Sequence, residues 1–222
     1  MSDVALVCGG SGALGAAVAR AFRARGDRVV CADRSPVESQ DPDLRFEVVD
    51  LTAPHEVEAL WERLSDGGDA PRWLVNAVGA FRAGTVADSE PEDYGFLASI
   101  NLETTWWSCR AAARRLTDGA AIVNVAARPA VGGGAGSAAY AVSKAGVLRL
   151  TQVLSDELRE RRVRVNAVLP SVLDTPANRT SMSAARMQES VSTDDVAAVI
   201  AFLCSDGARV VSGAAIPVYG WA

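Results

Sequence analysis

The chain has 222 residues, 49% of them hydrophobic and 22% charged, with a formal net charge of −5. That length and balance suit one well-buried α/β domain with no need of staples, and the lack of a dense Lys/Arg run argues against a surface that tracks nucleic-acid phosphates. No window offers about 18 continuous apolar residues and the first residues run straight into a strand, so no membrane span and no signal peptide are expected, and the location expected is cytoplasmic.

The first element is a short apolar run, Val4 to Cys8, ending in closely spaced glycines at Gly9, Gly10, Gly12 and Gly15, after which a helical pattern begins at Ala16. Strand, tight turn and helix in that order make a phosphate cradle. Glycine permits positive φ, takes Cβ atoms out of the ligand's path and leaves helix-start amides facing an anion. A dinucleotide pyrophosphate fits there, assigned to Gly9, Ser11, Gly12, Ala13, Leu14 and Gly15. The helix ends near Gly26, and Arg28 to Ala32 is a second strand followed by Asp33. A carboxylate at that strand end accepts hydrogen bonds from the adenosine ribose and repels a 2′-phosphate, which favours NAD(H) over NADP(H). Arg34 beside it pulls the other way, because a guanidinium can pair with a phosphate, stack on adenine or face water.

Leu44 to Val49 is a third strand, followed by Asp50 and Leu51. Asp50 either meets the adenine amino group or serves as a turn carboxylate before a helix capped by Thr52, with Pro54 and Glu56 in its first turn. His55, the only histidine, is placed on that solvated helix start, so a histidine-based triad or metal site is not expected. Cys8, Cys31, Cys109 and Cys204 stand singly among apolar neighbours, the pattern of buried thiols. Trp73 to Asn76 is a fourth strand; Asn76, Ala77 and Gly79 at its end let a cofactor pass close to the backbone. Ala80 to Glu90 is a loop, and a long helix runs from Glu92 to Leu116.

Ala121 to Val125 gives a fifth strand, Arg128 to Ser137 a glycine-rich loop, and Ser137 to Arg161 a second long helix. Val163 to Leu169 is a sixth strand, Pro170 to Arg179 an extended loop and Ser181 to Glu189 a short helical or mobile segment, with a substrate loop expected near 174–192. Asp194 to Cys204 is a last helix with Thr193 near its cap, and Ala214 to Val218 a seventh strand. Helices between strands imply a single-domain, doubly wound parallel sheet covered on both faces. Within that frame Tyr140 and Lys144 lie four apart, on one helix face. A cation near the phenol stabilises phenolate and brings a group of ordinary pKa about 10 toward a useful range, so the pair can transfer a proton.

Taken together, the Gly9 to Gly15 turn, Asp33, Asn76 to Gly79, Asn101, Tyr140 with Lys144, Pro170 to Thr175 and Ser212-Gly213 resemble the short-chain dehydrogenase/reductase family over the whole chain. The resemblance implies a Rossmann-like fold and an oxidoreductase with a small-molecule substrate. Tyr140 would be proton donor or acceptor, and Lys144 would bind the nicotinamide ribose and lower the tyrosine pKa. Asn101 would hold a water connected to Lys144, and Thr175 with the Pro170 and Val172 backbone would hold the carboxamide. The two long helices resemble those through which family members pair, implying a homodimer or homotetramer.

Two departures stand out. Ala13 replaces the middle glycine of the family turn, a small change beside Gly12. Ala126-Ala127 occupies the strand end where the family usually places a serine that hydrogen-bonds the substrate carbonyl. Loss of such a donor costs on the order of 2.7 to 4 kcal/mol if it acts like an oxyanion-hole group. The Gly9 to Gly15 turn and Leu169 to Arg179 also resemble the dihydropteridine reductase branch, which lacks that serine and reduces an electron-poor ring. The expected reaction is therefore NADH-dependent reduction of a quinonoid dihydropterin or similar conjugated ring or imine. A carbonyl/alcohol oxidoreductase, with Ser137 or a water replacing the lost donor, is one alternative; a non-catalytic NAD(H) sensor or partner-binding protein is another. Trp106 or Trp107 could flank a flat ring, although core or interface packing is the commoner role of such residues.

Overall fold

The computed structural model describes residues 2–35 and 42–221. The chain enters through β1 (Val4–Cys8), which alternates its side chains between two cores: Val4, Leu6 and Cys8 face one, Ala5 and Val7 the other. That two-sided burial requires helices on both faces. α1 (Ala13–Ala24) follows and leads to β2 (Arg28–Asp33) and β3 (Leu44–Val48). α2 (Pro54–Asp66) then returns the chain to β4 (Trp73–Asn76) on the opposite flank of β1. β5 (Ala121–Val125), β6 (Arg164–Pro170) and β9 (Ala215–Val218) extend the sheet outward in the order β3-β2-β1-β4-β5-β6-β9, every pair parallel. Strand order reverses direction at β1 and β4, and a crevice opens where the connections leave on opposite faces.

One face is covered by α2, α4 (Thr104–Arg115) and α5 (Ala138–Glu157), which pack Leu60, Trp61, Cys109 and Leu154 against the sheet. The other is covered by α1 and α8 (Thr193–Leu203), which bring Phe22, Ile200 and Leu203 to it. The seven-stranded parallel α/β architecture expected from the sequence is therefore present. All four cysteines are free and buried, and His55 is exposed at the start of α2. No helix among the described residues is long and apolar enough to cross a membrane.

Several local expectations are corrected. α1 begins at Ala13, so Ala13 and Leu14 belong to its first turn. The expected long helix from Glu92 is α3 (Pro91–Leu97), then a π-helical turn over Ala98–Glu103, then α4. Thr52 does not cap α2: the cap residue is Ala53, and the Thr52 hydroxyl donates instead to Asp50 Oδ1 at 2.7 Å. The stretch expected to be an extended loop after Pro170 contains β7 (Leu173–Asp174) and α6 (Pro176–Ser181). α7 (Ala184–Gln188) follows, and β7 pairs with β8 (Val191–Ser192) in a small second sheet. Ser192 rather than Thr193 caps α8, accepting from Asp195 N at 3.0 Å. Trp107 packs against the core, and Trp106 is 49% exposed on α4.

The β1–α1 turn tolerates no side chain at its closest crossing. A Cβ on Gly15 would lie 2.0 Å from the Gly9 carbonyl oxygen, whereas one on Gly95, inside α3, would meet nothing within 4 Å. Gly15→Ala is expected to cost about 1–3 kcal/mol as an overpacking change, and Gly95→Ala to gain about 0.5–1 kcal/mol from the stiffer unfolded chain. Urea unfolding of the two variants should show opposite shifts of midpoint.

Candidate functional site

The turn after β1 is shaped for close approach. Gly9 has φ +86°, and a Cβ there would sit 2.9 Å from Val78 N at the end of β4. Gly12 N donates to Gly9 O at 3.1 Å, which closes the turn and leaves α1 pointing its first amides outward. In front of it lies a crevice of about 260 Å³ lined by Gly9, Ser11 and Gly12 on one side and Ala77, Gly79 and Ala80 on the other. Asp33, Arg34, Asp50 and Leu51 line it as well, so four strand-end residues singled out from the sequence converge there. Ala13, Leu14 and Gly15 stand behind it in the first turn of α1. A cradle that a Cβ would fill, opening on an elongated crevice, fits a dinucleotide.

Carboxylates set the polarity of the far end. Asp33 accepts from Ser11 N at 3.2 Å, from the Ser11 hydroxyl and from Arg34 N at 2.7 Å. Asp50 accepts from both the hydroxyl and the backbone N–H of Thr52, which with the Arg34 charge hold its carboxyl below the usual range. It is thus a turn carboxylate that also lines the crevice. Sequence reading missed Phe96, Ile100 and Thr104, which line the crevice from the helix side. Their spacing of four was a legible signal, one face of a single helical run.

At Asn76 only the backbone is left for a cofactor, since the residue is buried. Its side chain turns away from the crevice into the core, donating to Asn124 Oδ1 at 2.8 Å, while Asn124 donates to Thr151 Oγ1 at 2.9 Å. That network stitches β4 to β5 and α5, and leaves Asn76 Oδ1 buried without a partner. Thr175 caps α6 by accepting from Asn178 N at 3.2 Å, and does not line the crevice. Pro170 closes β6, and the Val172 carbonyl accepts from Val191 N at 2.8 Å.

Tyr140 and Lys144 rise from the first two turns of α5, beside the end of β5. Lys144 is 4% exposed and donates to the Val125 carbonyl at 2.9 Å. Burial of the ammonium pulls its pKa down to about 8. The phenol of Tyr140 is pushed up to about 12, again by burial, and its ring meets Phe81 edge-on at 5.1 Å. The expected lowering of the phenol by its neighbour is therefore not what this arrangement gives: desolvation dominates, and the ammonium is engaged by a carbonyl. Asn101 sits in the π turn, accepting from Ala80 N at 2.9 Å and donating to Ser143 Oγ at 3.0 Å. Ser143 was not anticipated. A Cβ on Gly79 would lie 3.0 Å from Lys144 Nζ and 3.1 Å from Asn101 Oδ1, so these groups share one niche that only glycine leaves open.

The usual donor position is closed. Ala126 and Ala127 are 2% and 5% exposed and offer only methyls. Ser137 does not replace them, because its hydroxyl donates to Gly134 O at 3.1 Å within the glycine loop.

Lys144 is the chain's only lysine, so reductive methylation with labelled formaldehyde gives one side-chain resonance. Its titration is expected to have a midpoint of about 8 rather than 10.5. Between those values the unfolded chain holds a proton that the folded chain has lost, so Lys144 adds stability as pH rises through the window. Tyr140 acts in the opposite sense above pH 10, where the unfolded phenol ionises first. Urea midpoints between pH 8 and 10 should rise more steeply in the wild type than in Lys144→Met.

Residues 10–220 match the family model described as Enoyl-(Acyl carrier protein) reductase. Carbonyl reductase family member 4 of Danio rerio is 32% identical over 183 residues, covering 79% of this chain and 77% of that protein. D-threitol dehydrogenase of Mycolicibacterium smegmatis is 29% identical over 237 residues, covering 98% of this chain and 91% of that protein. Among solved structures, a blue fluorescent protein from a metagenomic library, in complex with NADPH, superposes with a TM-score of 0.86 at 27% identity and covers 98% of this chain and 96% of that one. The glycine cradle, the parallel sheet and these matches agree: the chain belongs to the short-chain dehydrogenase/reductase family of NAD(P)-binding oxidoreductases.

Proposed function

We propose that the protein reduces an electron-poor acceptor with a nicotinamide cofactor, using Tyr140 as the proton donor. The observation that carries this reading is the shared niche of Lys144, Asn101 and Gly79 at the ends of β4 and β5, next to Tyr140. When bound, the reduced nicotinamide supplies a hydride to the electrophilic carbon of the acceptor. Tyr140 gives its phenol proton to the acceptor's oxygen or nitrogen, so the double bond is reduced by one hydride and one proton. Lys144 holds the nicotinamide ribose, and Asn101 holds a water connected to Lys144. Thr175, Pro170 and Val172 border the carboxamide end, with the segment near 174–192 as the substrate loop.

The methyls of Ala126 and Ala127 support an acceptor that needs no hydroxyl donor, such as a quinonoid dihydropterin, another conjugated ring or a cyclic imine. A second reading is a carbonyl or alcohol substrate, favoured by the names of the relatives from Danio rerio and Mycolicibacterium smegmatis. Pairing of subunits through α4 and α5 into a dimer or tetramer is consistent with the exposed Trp106. NADH is the proposed cofactor because the Asp33 carboxylate lines the crevice at the end of β2, where it would repel a 2′-phosphate, whereas the blue fluorescent protein holds NADPH.

A NADH-oxidation screen with quinonoid dihydropterin, quinones, cyclic imines and simple ketones separates the acceptor classes. On whichever acceptor is used, Tyr140→Phe should lower kcat by roughly 10²–10⁴-fold while leaving NADH affinity nearly unchanged. Equal rates in mutant and wild type would remove Tyr140 from the chemistry and leave a nucleotide-binding protein. Asp33→Ala should reduce the NADH-over-NADPH ratio of kcat/KM by on the order of tenfold or more, as expected when a like-charge clash is relieved.

A further inference from the structure

We infer that Arg128 binds a carboxylate of the acceptor, so that the substrate is an anionic, electron-poor carbonyl or imine such as a 2-oxo acid or a cyclic imino acid. This rests on the proposed hydride-transfer reading of the site. Arg128 directly follows Ala127, at the strand end where the hydroxyl donor is missing, and opens a short 3₁₀ turn over Arg128–Ala130. Its guanidinium lies 5.1 Å from the centroid of the Tyr219 ring, which follows β9. β6 stands between β5 and β9 in the sheet, so the side chain reaches across the carboxyl end of β6. Tyr219 is held there by its carbonyl, which accepts from Ser171 Oγ at 3.0 Å just beyond Pro170. The turn that carries Arg128 packs beside the first turn of α5, since a Cβ on Gly134 would lie 3.0 Å from Ala141 Cβ and 3.5 Å from Pro129 Cβ, and the dinucleotide crevice is lined by neither Arg128 nor Tyr219.

The chemistry of the side chain completes the argument. Stacking on an aromatic face orders a guanidinium but leaves its in-plane fork of N–H donors open. Among the described residues no carboxylate pairs with Arg128 and none of its side-chain donors finds a hydrogen-bond acceptor. By contrast, many other arginines of the chain are committed, Arg179 to Asp174 and Arg115 to Glu58 among them. An ordered, unspent fork matches a planar carboxylate bidentately. A carboxylate next to a carbonyl or imine carbon also withdraws electrons from it, which offsets the lack of a hydroxyl donor at Ala127. One group thus accounts for both the free arginine and the two alanines.

The test is binding to the whole protein saturated with NAD⁺, a state in which no acceptor can be reduced. Calorimetric Kd values are compared for 1-pyrroline-2-carboxylate against 1-pyrroline and for 2-oxobutanoate against 2-butanone, in the wild type, Arg128→Gln and Arg128→Lys. The expected result is that a carboxylate member binds roughly 10- to 100-fold more tightly than its neutral parent, that Arg128→Gln erases the difference, and that Arg128→Lys restores part of it. Absence of a carboxylate preference in the wild type, or its survival in Arg128→Gln, overturns the inference. Urea midpoints of the variants check that the exposed position leaves folding intact. A carboxylate that binds through Arg128 and is then not reduced with NADH upholds the inference and counts against the hydride-transfer reading. Tyr140-dependent reduction of neutral and anionic acceptors alike does the reverse.

Discussion

Enclosure of one ammonium group governs the layout of the site. A buried cation is costly unless hydrogen-bonded, and among the described residues Lys144 has a single hydrogen-bond partner, the Val125 carbonyl. The enclosure is built from both sides: Gly79 brings the end of β4 close because it carries no Cβ, and the π turn brings Asn101 against Ala80 and Ser143. Inserting a π turn into a helix is unfavourable in itself and is found mostly at functional positions. Here it divides one helical run, so that Phe96 and Ile100 line the dinucleotide crevice while Asn101 faces the lysine niche.

Beneath that niche the polar chain of Asn76, Asn124 and Thr151 ties three elements in register. Strands β4 and β5 pair residue by residue, Asn76 opposite Asn124, so the hydrogen bond between their side chains forms only in that register. A slip of one residue would separate the amides and move the Val125 carbonyl away from Lys144. The network thus fixes, from inside the core, where the strand ends present their backbone to a ligand.

Much of this was legible in sequence. β1, β4 and β5 were recoverable as short apolar runs bounded by glycine or small residues, and the cradle followed from glycine spacing alone. The Tyr140–Lys144 pair was visible as a helical spacing of four. Less legible were features decided by tertiary packing. Asn76 read as part of a strand end whose backbone a cofactor approaches, and nothing in its neighbours announced that its side chain would pair with Asn124. Thr52 looked like a cap, yet Asp50 captured its hydroxyl first. The π turn over Ala98–Glu103 was not legible either, because nothing in the order of those residues announces i→i+5 hydrogen bonding. The pKa of Tyr140 could not be read from its neighbour, because burial acts on the phenol and the amine in opposite directions.

With arginine in every other basic position except His55, the chain carries a nearly fixed complement of positive charge. Guanidinium groups stay protonated throughout the range in which enzymes are assayed, so among the lysine and arginine side chains only the amine of residue 144, brought down to about 8 by burial, changes charge there. The part of any proton uptake or release on ligand association that disappears in Lys144→Met, read as a dependence of calorimetric enthalpy on buffer ionisation heat, therefore belongs to one nitrogen atom.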